Sequence, residues 1–129
     1  MTPSLAIDLG GTKILAALVD GSCVLDRRLL ATDRTAGPDA WLSALGSVAA
    51  DWGERYRTAG LAVTGVVDGG HWRAANTATL DVPERYPLGA RAAEVLGCRP
   101  VMSNDAQAAA WGEHLHGAGR GRDMVFLTV

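Results

Sequence analysis

Three strand-like segments follow one another within the first 32 residues, and the joints between them are too short for anything but antiparallel pairing. Residues 4–9 (SLAIDL), 14–20 (ILAALVD) and 23–32 (CVLDRRLLAT) are dominated by aliphatic side chains. Gly10-Gly11-Thr12-Lys13 joins the first two, and the Asp20-Gly21 turn signal precedes the third. Parallel neighbours need a crossover of a dozen residues or more, so this opening predicts an antiparallel meander.

Beyond it the periodicity changes. Pro38 opens a helical stretch that places Trp41, Leu45, Val48, Trp52 and Tyr56 on one face. Gly60 is expected to end that stretch, with Leu61 to Gly65 as a buried strand and Val66 to Ala74 as a small hairpin around Asp68-Gly69-Gly70. A second helix follows Pro87, with Leu88, Ala92, Val95 and Leu96 inward and Gly97 as its stop. Pro100 to Ser103 reads as a short strand that runs into Asn104-Asp105 and a third helix, through about His116, stopped by Gly117. The order βββ-α-β-(ββ)-α-β-α-β predicts an α/β domain. Its sheet is mixed, with an antiparallel three-stranded start and helices on both faces.

Composition narrows the classes. A chain of 129 residues has room for one compact domain, and 48 % hydrophobic residues can fill its core. A formal net charge of −2 argues against a nucleic-acid partner, and no apolar run approaches a membrane span. Cys23 and Cys98 lie far apart, match no metal spacing and read as small core residues. The four tryptophans fit core helix faces. With no signal-peptide pattern at the start, a reduced, cytoplasmic protein is expected. Met124 to Val129 is a β-rich run that stops on an apolar residue. It predicts a longer protein, in which residues 1–118 form one domain and 119–129 are a linker and the first strand of a further lobe.

Two stretches carry potential chemistry. Asp8-Leu9-Gly10-Gly11-Thr12-Lys13 sets a carboxylate at a strand end, followed by a turn that offers backbone N–H groups and a hydroxyl to a phosphate. The spacing is neither a Walker loop nor a dinucleotide fingerprint. A bare Gly-Gly is also an ordinary hairpin turn, but that reading leaves Asp8, on a strand that reads as buried, without a purpose. Ser103-Asn104-Asp105 stands at a strand-to-helix junction. There Asn104 or Asp105 can be a plain N-cap. The same place, the carboxyl end of a strand, is where α/β sheets put ligands. An Asn can bond a sugar hydroxyl there, and an Asp can take a hydroxyl proton as the oxygen attacks phosphorus. Asn76, Thr77 and Thr79 form a polar cluster that suits either a solvated loop or a hydroxyl-rich ligand.

IDLGGTKILAALVD at 7–20, VTGVVDGG at 63–70 and NDAQAAAWGE at 104–113 occur in that order along the chain. Together they resemble the N-terminal lobe of the ROK family (repressors, open reading frames and sugar kinases), whose fold is the ribonuclease-H-like, actin-like ATPase lobe. The resemblance implies an ATP- and Mg²⁺-dependent sugar kinase, with N-acetylmannosamine as the expected sugar, phosphorylated at its 6-hydroxyl in sialic acid breakdown. A glucokinase or other hexokinase is the alternative, and a sugar-sensing regulator a more distant one. By position, Asp8 would sit beside Mg²⁺ through water, with Gly10, Gly11 and Thr12 at the ATP phosphates. Asn104 would bind sugar hydroxyls, Asp105 would be the catalytic base, and Gly65, Asn76, Thr77 and Thr79 would border the sugar. The resemblance further implies a homodimeric parent and a structural zinc in its C-terminal part, none in this chain. It implies too that this chain is inactive by itself.

Overall fold

The computed structural model describes residues 2–128. The meander forms as its joints demand. Strands β1 (Ser4–Leu9), β2 (Lys13–Asp20) and β3 (Cys23–Ala31) pair antiparallel in sequence order. Two further strands, β4 (Thr58–Val63) and β7 (Val101–Asn104), add parallel to β1 in turn, giving the sheet order β3-β2-β1-β4-β7. Between them, β5 (Val66–Asp68) and β6 (His71–Arg73) make the separate small hairpin. The sheet is therefore mixed, and the domain is α/β.

Alternation along the strands decides which face is filled. Leu5, Ile7 and Leu9 of β1, Ile14, Ala16 and Leu18 of β2, and Ala59, Leu61 and Val63 of β4 all point to one side and are buried. Helices α1 (Pro38–Ala50) and α2 (Leu88–Leu96) cover that side with Trp41, Leu42, Leu45, Leu88, Ala92 and Leu96. Each fully buried Leu or Ile contributes about 1.5–3 kcal/mol, so this layer is what holds the domain together. Gly97 ends α2 in the left-handed conformation (φ 75°), which a side chain would strain. The third helix, α3 (Asp105–His116), borders the opposite face and buries none of its side chains. Trp111 of α3, together with Ala6, Ala62 and Val101, lines an open apolar groove there.

Several local expectations give way to the structure. The first helix stops at Ala50, and Trp52 and Tyr56 reach inward from either side of a 3₁₀ turn (Gly53–Arg55), Trp52 just before it and Tyr56 just after. Gly60 terminates nothing. It sits inside β4, paired with Ala6 on one side and Val101 on the other, because two-sided strand pairing outweighs its poor strand propensity. Cys23 is exposed at the start of the edge strand β3. Of the tryptophans, Trp72 is buried on a strand and Trp111 stands 61 % exposed. Residues 117–122 fold back as turns on the end of α3, with the Gly119 N–H donating to the Glu113 carbonyl at 3.1 Å. The strand expected over 124–129 is not formed within the described residues: 124–128 pair with no strand, and Val129 lies outside them. A strand needs a neighbour to satisfy its backbone, and none of the described sheet edges takes this one.

Trp52 is fixed across the domain by Asp26 of β3. Its Nε1–H donates to Asp26 Oδ2 at 3.0 Å, and Arg28 donates to the same oxygen at 2.6 Å while its guanidinium lies 5.4 Å from the Trp52 ring centre. The Trp52 hydrogen bond, then that of Arg28, holds the Asp26 carboxyl down from 3.8 to about 2. A depressed carboxylate stabilises the fold above its unfolded pKa and loses that contribution as pH falls through its folded one. The unfolding midpoint is therefore expected to drop between pH 3.8 and about 2. Asp26→Asn should be less stable at neutral pH and should show a shallower drop across that window in thermal melts. Equal slopes for the two proteins would disprove the contribution.

Candidate functional site

The register of the three parallel strands aligns their carboxyl ends. Leu9 of β1 pairs with Val63 of β4, and Val63 pairs with Asn104 of β7. Three loops are thereby delivered to one edge: Gly10 to Thr12, Thr64-Gly65, and Asn104-Asp105. This is the ligand-binding end of a parallel α/β arrangement.

The first turn is tightly held. The Gly10 N–H donates to the Lys13 carbonyl at 3.0 Å, the buried Thr32 hydroxyl donates to the Gly10 carbonyl at 2.9 Å, and the Thr32 N–H donates to the Thr12 carbonyl at 2.9 Å. The N–H groups of Gly11 and Thr12 make no backbone hydrogen bond among the described residues. Thr79 closes over Gly11: a Cβ there would stand 2.7 Å from the Thr79 carbonyl oxygen. Asn76 shapes that covering turn, its side-chain oxygen accepting the Ala78 N–H at 2.9 Å and its carbonyl accepting the Thr79 N–H at 3.0 Å. Thr77 lies exposed in the same turn.

Asp8 is exposed on the open face of the sheet, not buried as its strand suggests. Even so, the surrounding chain strips enough water from its carboxyl to push its pKa above the usual range. The Asp105 carboxylate adds to the rise, and the Lys13 ammonium opposes it. Two acids thus share one neighbourhood, which suits a site that receives cations.

Asn104 caps α3. Its Oδ1 accepts the N–H groups of Ala106 at 2.9 Å and Gln107 at 3.3 Å, and the Gln107 side chain returns to the Asn104 N–H, completing a capping box. Its Nδ2 donates to the Gly65 carbonyl at 2.7 Å. Of the alternatives open at this junction, Asn104 is the N-cap. One amide hydrogen remains for a further partner. Asp105 is the first residue of the helix. Its Oδ1 accepts the Ala106 N–H at 2.8 Å and its Oδ2 accepts the Thr64 hydroxyl at 3.0 Å. Gly65 is required by its backbone, at φ 111° with a Cβ position 2.5 Å from the Arg73 carbonyl oxygen.

Two residues of the site receive no role from the sequence alone, although Thr64 lies within the 63–70 stretch. Thr64 reaches Asp105, and Trp72 donates from Nε1 to the Thr64 carbonyl at 2.9 Å. The available signal was a hydroxyl ending the apolar run Leu61-Ala62-Val63. Among the described residues, no three His, Cys, Asp or Glu side chains cluster as a metal cage, and no helix is long and apolar enough to cross a membrane.

The two acids and the tight Gly10–Thr12 turn thus lie at the carboxyl edge of the parallel strands, the end at which α/β sheets receive ligands. The ROK family model matches residues 4–129, and the chain belongs to the ROK family. Over 128 residues it is 53 % identical to the bifunctional enzyme NanE/NanK of Brucella melitensis, matching 99 % of this chain and 25 % of that protein. It is 38 % identical over 127 residues to the N-acetylmannosamine kinase of Salmonella typhimurium, matching 98 % of this chain and 44 % of that one. The chain thus spans less than half the length of these relatives. The solved ROK family glucokinase of Streptomyces griseus, in complex with glucose and AMPPNP, superposes with a TM-score of 0.77 at 30 % identity. That match covers 92 % of this chain and 38 % of the glucokinase. The fold is accordingly that of the actin-like ATPase lobe of ROK sugar kinases.

Proposed function

We propose that this chain forms the first lobe of an ATP-dependent sugar kinase that phosphorylates N-acetylmannosamine at its 6-hydroxyl. The observation that carries the reading is the Asp105 carboxylate, fixed at the strand edge by Thr64 and Ala106 beside the Asp8–Thr12 turn. Asp105 takes the proton of the 6-hydroxyl as that oxygen bonds to the γ-phosphorus, and the bond from phosphorus to the bridging oxygen breaks to release ADP. Asn104 offers its remaining amide hydrogen to a sugar hydroxyl. Gly65 and the Asn76, Thr77 and Thr79 turn border the ring. The Gly11 and Thr12 N–H groups and the Thr12 hydroxyl receive phosphate oxygens, while Gly10 holds the turn's shape. An exposed carboxylate with hard oxygen donors suits Mg²⁺, so Asp8 would hold the ion through water, where it would supply charge neutralisation to the phosphates.

The greater length of the relatives supports a second lobe beyond residues 1–118, joined through 119–129. The name of the Salmonella relative supports N-acetylmannosamine as the sugar, and a place in sialic acid breakdown in the cytoplasm is part of the same proposal. A second reading, glucose, is favoured by the Streptomyces neighbour. Coupled measurement of ADP release by the full-length protein, with N-acetylmannosamine, N-acetylglucosamine and glucose, separates the two. We expect kcat/KM to be highest for N-acetylmannosamine by about tenfold or more, the discrimination that a few hydroxyl and amide contacts supply. Preference for glucose would move the substrate and keep the mechanism. Silence with all three sugars would overturn the kinase reading.

A further inference from the structure

We propose that Thr64 is a positioning residue for the phosphoryl transfer, its hydroxyl setting the orientation of the Asp105 carboxylate. The inference rests on the kinase reading above and adds a role for Thr64, a residue of the 63–70 stretch to which that reading gives none. A carboxylate at the first position of a helix turns freely about its last torsion, whose energy profile is broad. Here two donors from different elements hold it: the Ala106 N–H on Oδ1 at 2.8 Å and the Thr64 hydroxyl on Oδ2 at 3.0 Å. The first travels with α3 itself. Only the second ties the carboxylate to the sheet.

Thr64 can act as a reference point because it is itself held from several sides. Its N–H donates to the Leu9 carbonyl at 3.3 Å, linking it to β1 and so to the phosphate turn. Its carbonyl accepts Nε1–H of Trp72, a side chain with no solvent exposure. The carbonyl of the next residue, Gly65, accepts from Asn104 at 2.7 Å. A β-branched side chain on such a backbone has few rotamers left, so the hydroxyl is delivered in one place. With Oδ1 and Oδ2 each accepting one hydrogen bond, each oxygen keeps one lone pair, and the lone pair presented to a sugar hydroxyl is fixed in direction. Misplacing a reacting group by about 1 Å costs up to 10²-fold in rate, which is the scale on which such a tether matters.

The test compares Thr64→Val and Thr64→Ser with wild type in the full-length kinase. Steady-state kcat and KM for sugar and ATP are measured per mole of folded protein, with folding checked by circular dichroism. Valine keeps the shape and removes the donor; serine keeps the donor and removes the methyl. We expect Thr64→Val to lose about tenfold in kcat with KM for the sugar within about twofold, and Thr64→Ser to stay within about threefold of wild type. That split follows if Thr64 acts through Asp105 and touches no substrate. Wild-type kcat in Thr64→Val would overturn the role and leave the kinase reading standing. So would a Thr64→Ser as slow as Thr64→Val, which would assign the effect to the methyl group. A wild-type protein that releases no ADP with any sugar would overturn both.

Discussion

Asp105→Asn is expected to lower kcat by about 10²–10⁴-fold in the full-length protein, the range that a positioned general base contributes. The substitution is nearly isosteric, and the surroundings accept it. The amide oxygen can take the Ala106 N–H, and the amide nitrogen can then donate to the Thr64 oxygen, which accepts as readily as it donates. The helix start is kept by the Asn104 capping box, which does not involve the Asp105 side chain. Loss of turnover would therefore report loss of the base and not loss of the fold. KM for the sugar should stay within about threefold, since the hydroxyl contacts are assigned to Asn104 and its neighbours. Isothermal titration with sugar gives an independent check on binding. Near-normal turnover would mean that another group accepts the proton.

The largest effect on stability is expected at Trp72. Its ring has no solvent exposure and lies edge-on to both Trp41 and Tyr86, with centroids 6.2 Å away in each case. Trp72→Ala should cost about 3–5 kcal/mol in urea unfolding, the usual range for removing a buried aromatic ring. Trp72→Phe keeps much of the packing but orphans the Thr64 carbonyl, for about 1–3 kcal/mol. Both variants should also reduce kcat at saturating substrate, because Thr64 would lose the contact that anchors its backbone. A Trp72→Ala protein within about 1 kcal/mol of wild type would show that the hairpin packs loosely on the domain.

Much of this arrangement is legible in the sequence because short joints and turn residues leave little choice. The meander, the Asp68-Gly69-Gly70 hairpin, the Gly97 stop and the start of α3 all follow local rules. The misreadings have a common cause: tertiary pairing or packing decided what the local signal left open. Trp52 and Tyr56 keep helical spacing past Ala50 because each still points inward, Trp52 toward Asp26 and Tyr56 toward the Leu96 carbonyl, so the periodicity outlives the helix. Gly60 looks like a break until its two strand neighbours are known. Asp8 sits in an apolar run, yet its side chain faces the side of the sheet that α1 and α2 leave uncovered. At the site, the chain neighbours Asn104 and Asp105 stand out together, whereas Thr64 gains meaning only from a partner far along the chain.

The strand order also sets when the site can exist. Neighbours in the β1–β2–β3 meander are joined by tight turns, so closing those loops costs little entropy. Asp8 and Asp105 meet only after two long crossovers have closed, one placing β4 against β1 and the other placing β7 against β4. Such distant pairings are slow to find in folding. The meander can therefore form early, while the paired acids come together among the last events of assembly. A chain still emerging during synthesis has its hydrophobic layer under construction well before Asp8 and Asp105 share a neighbourhood.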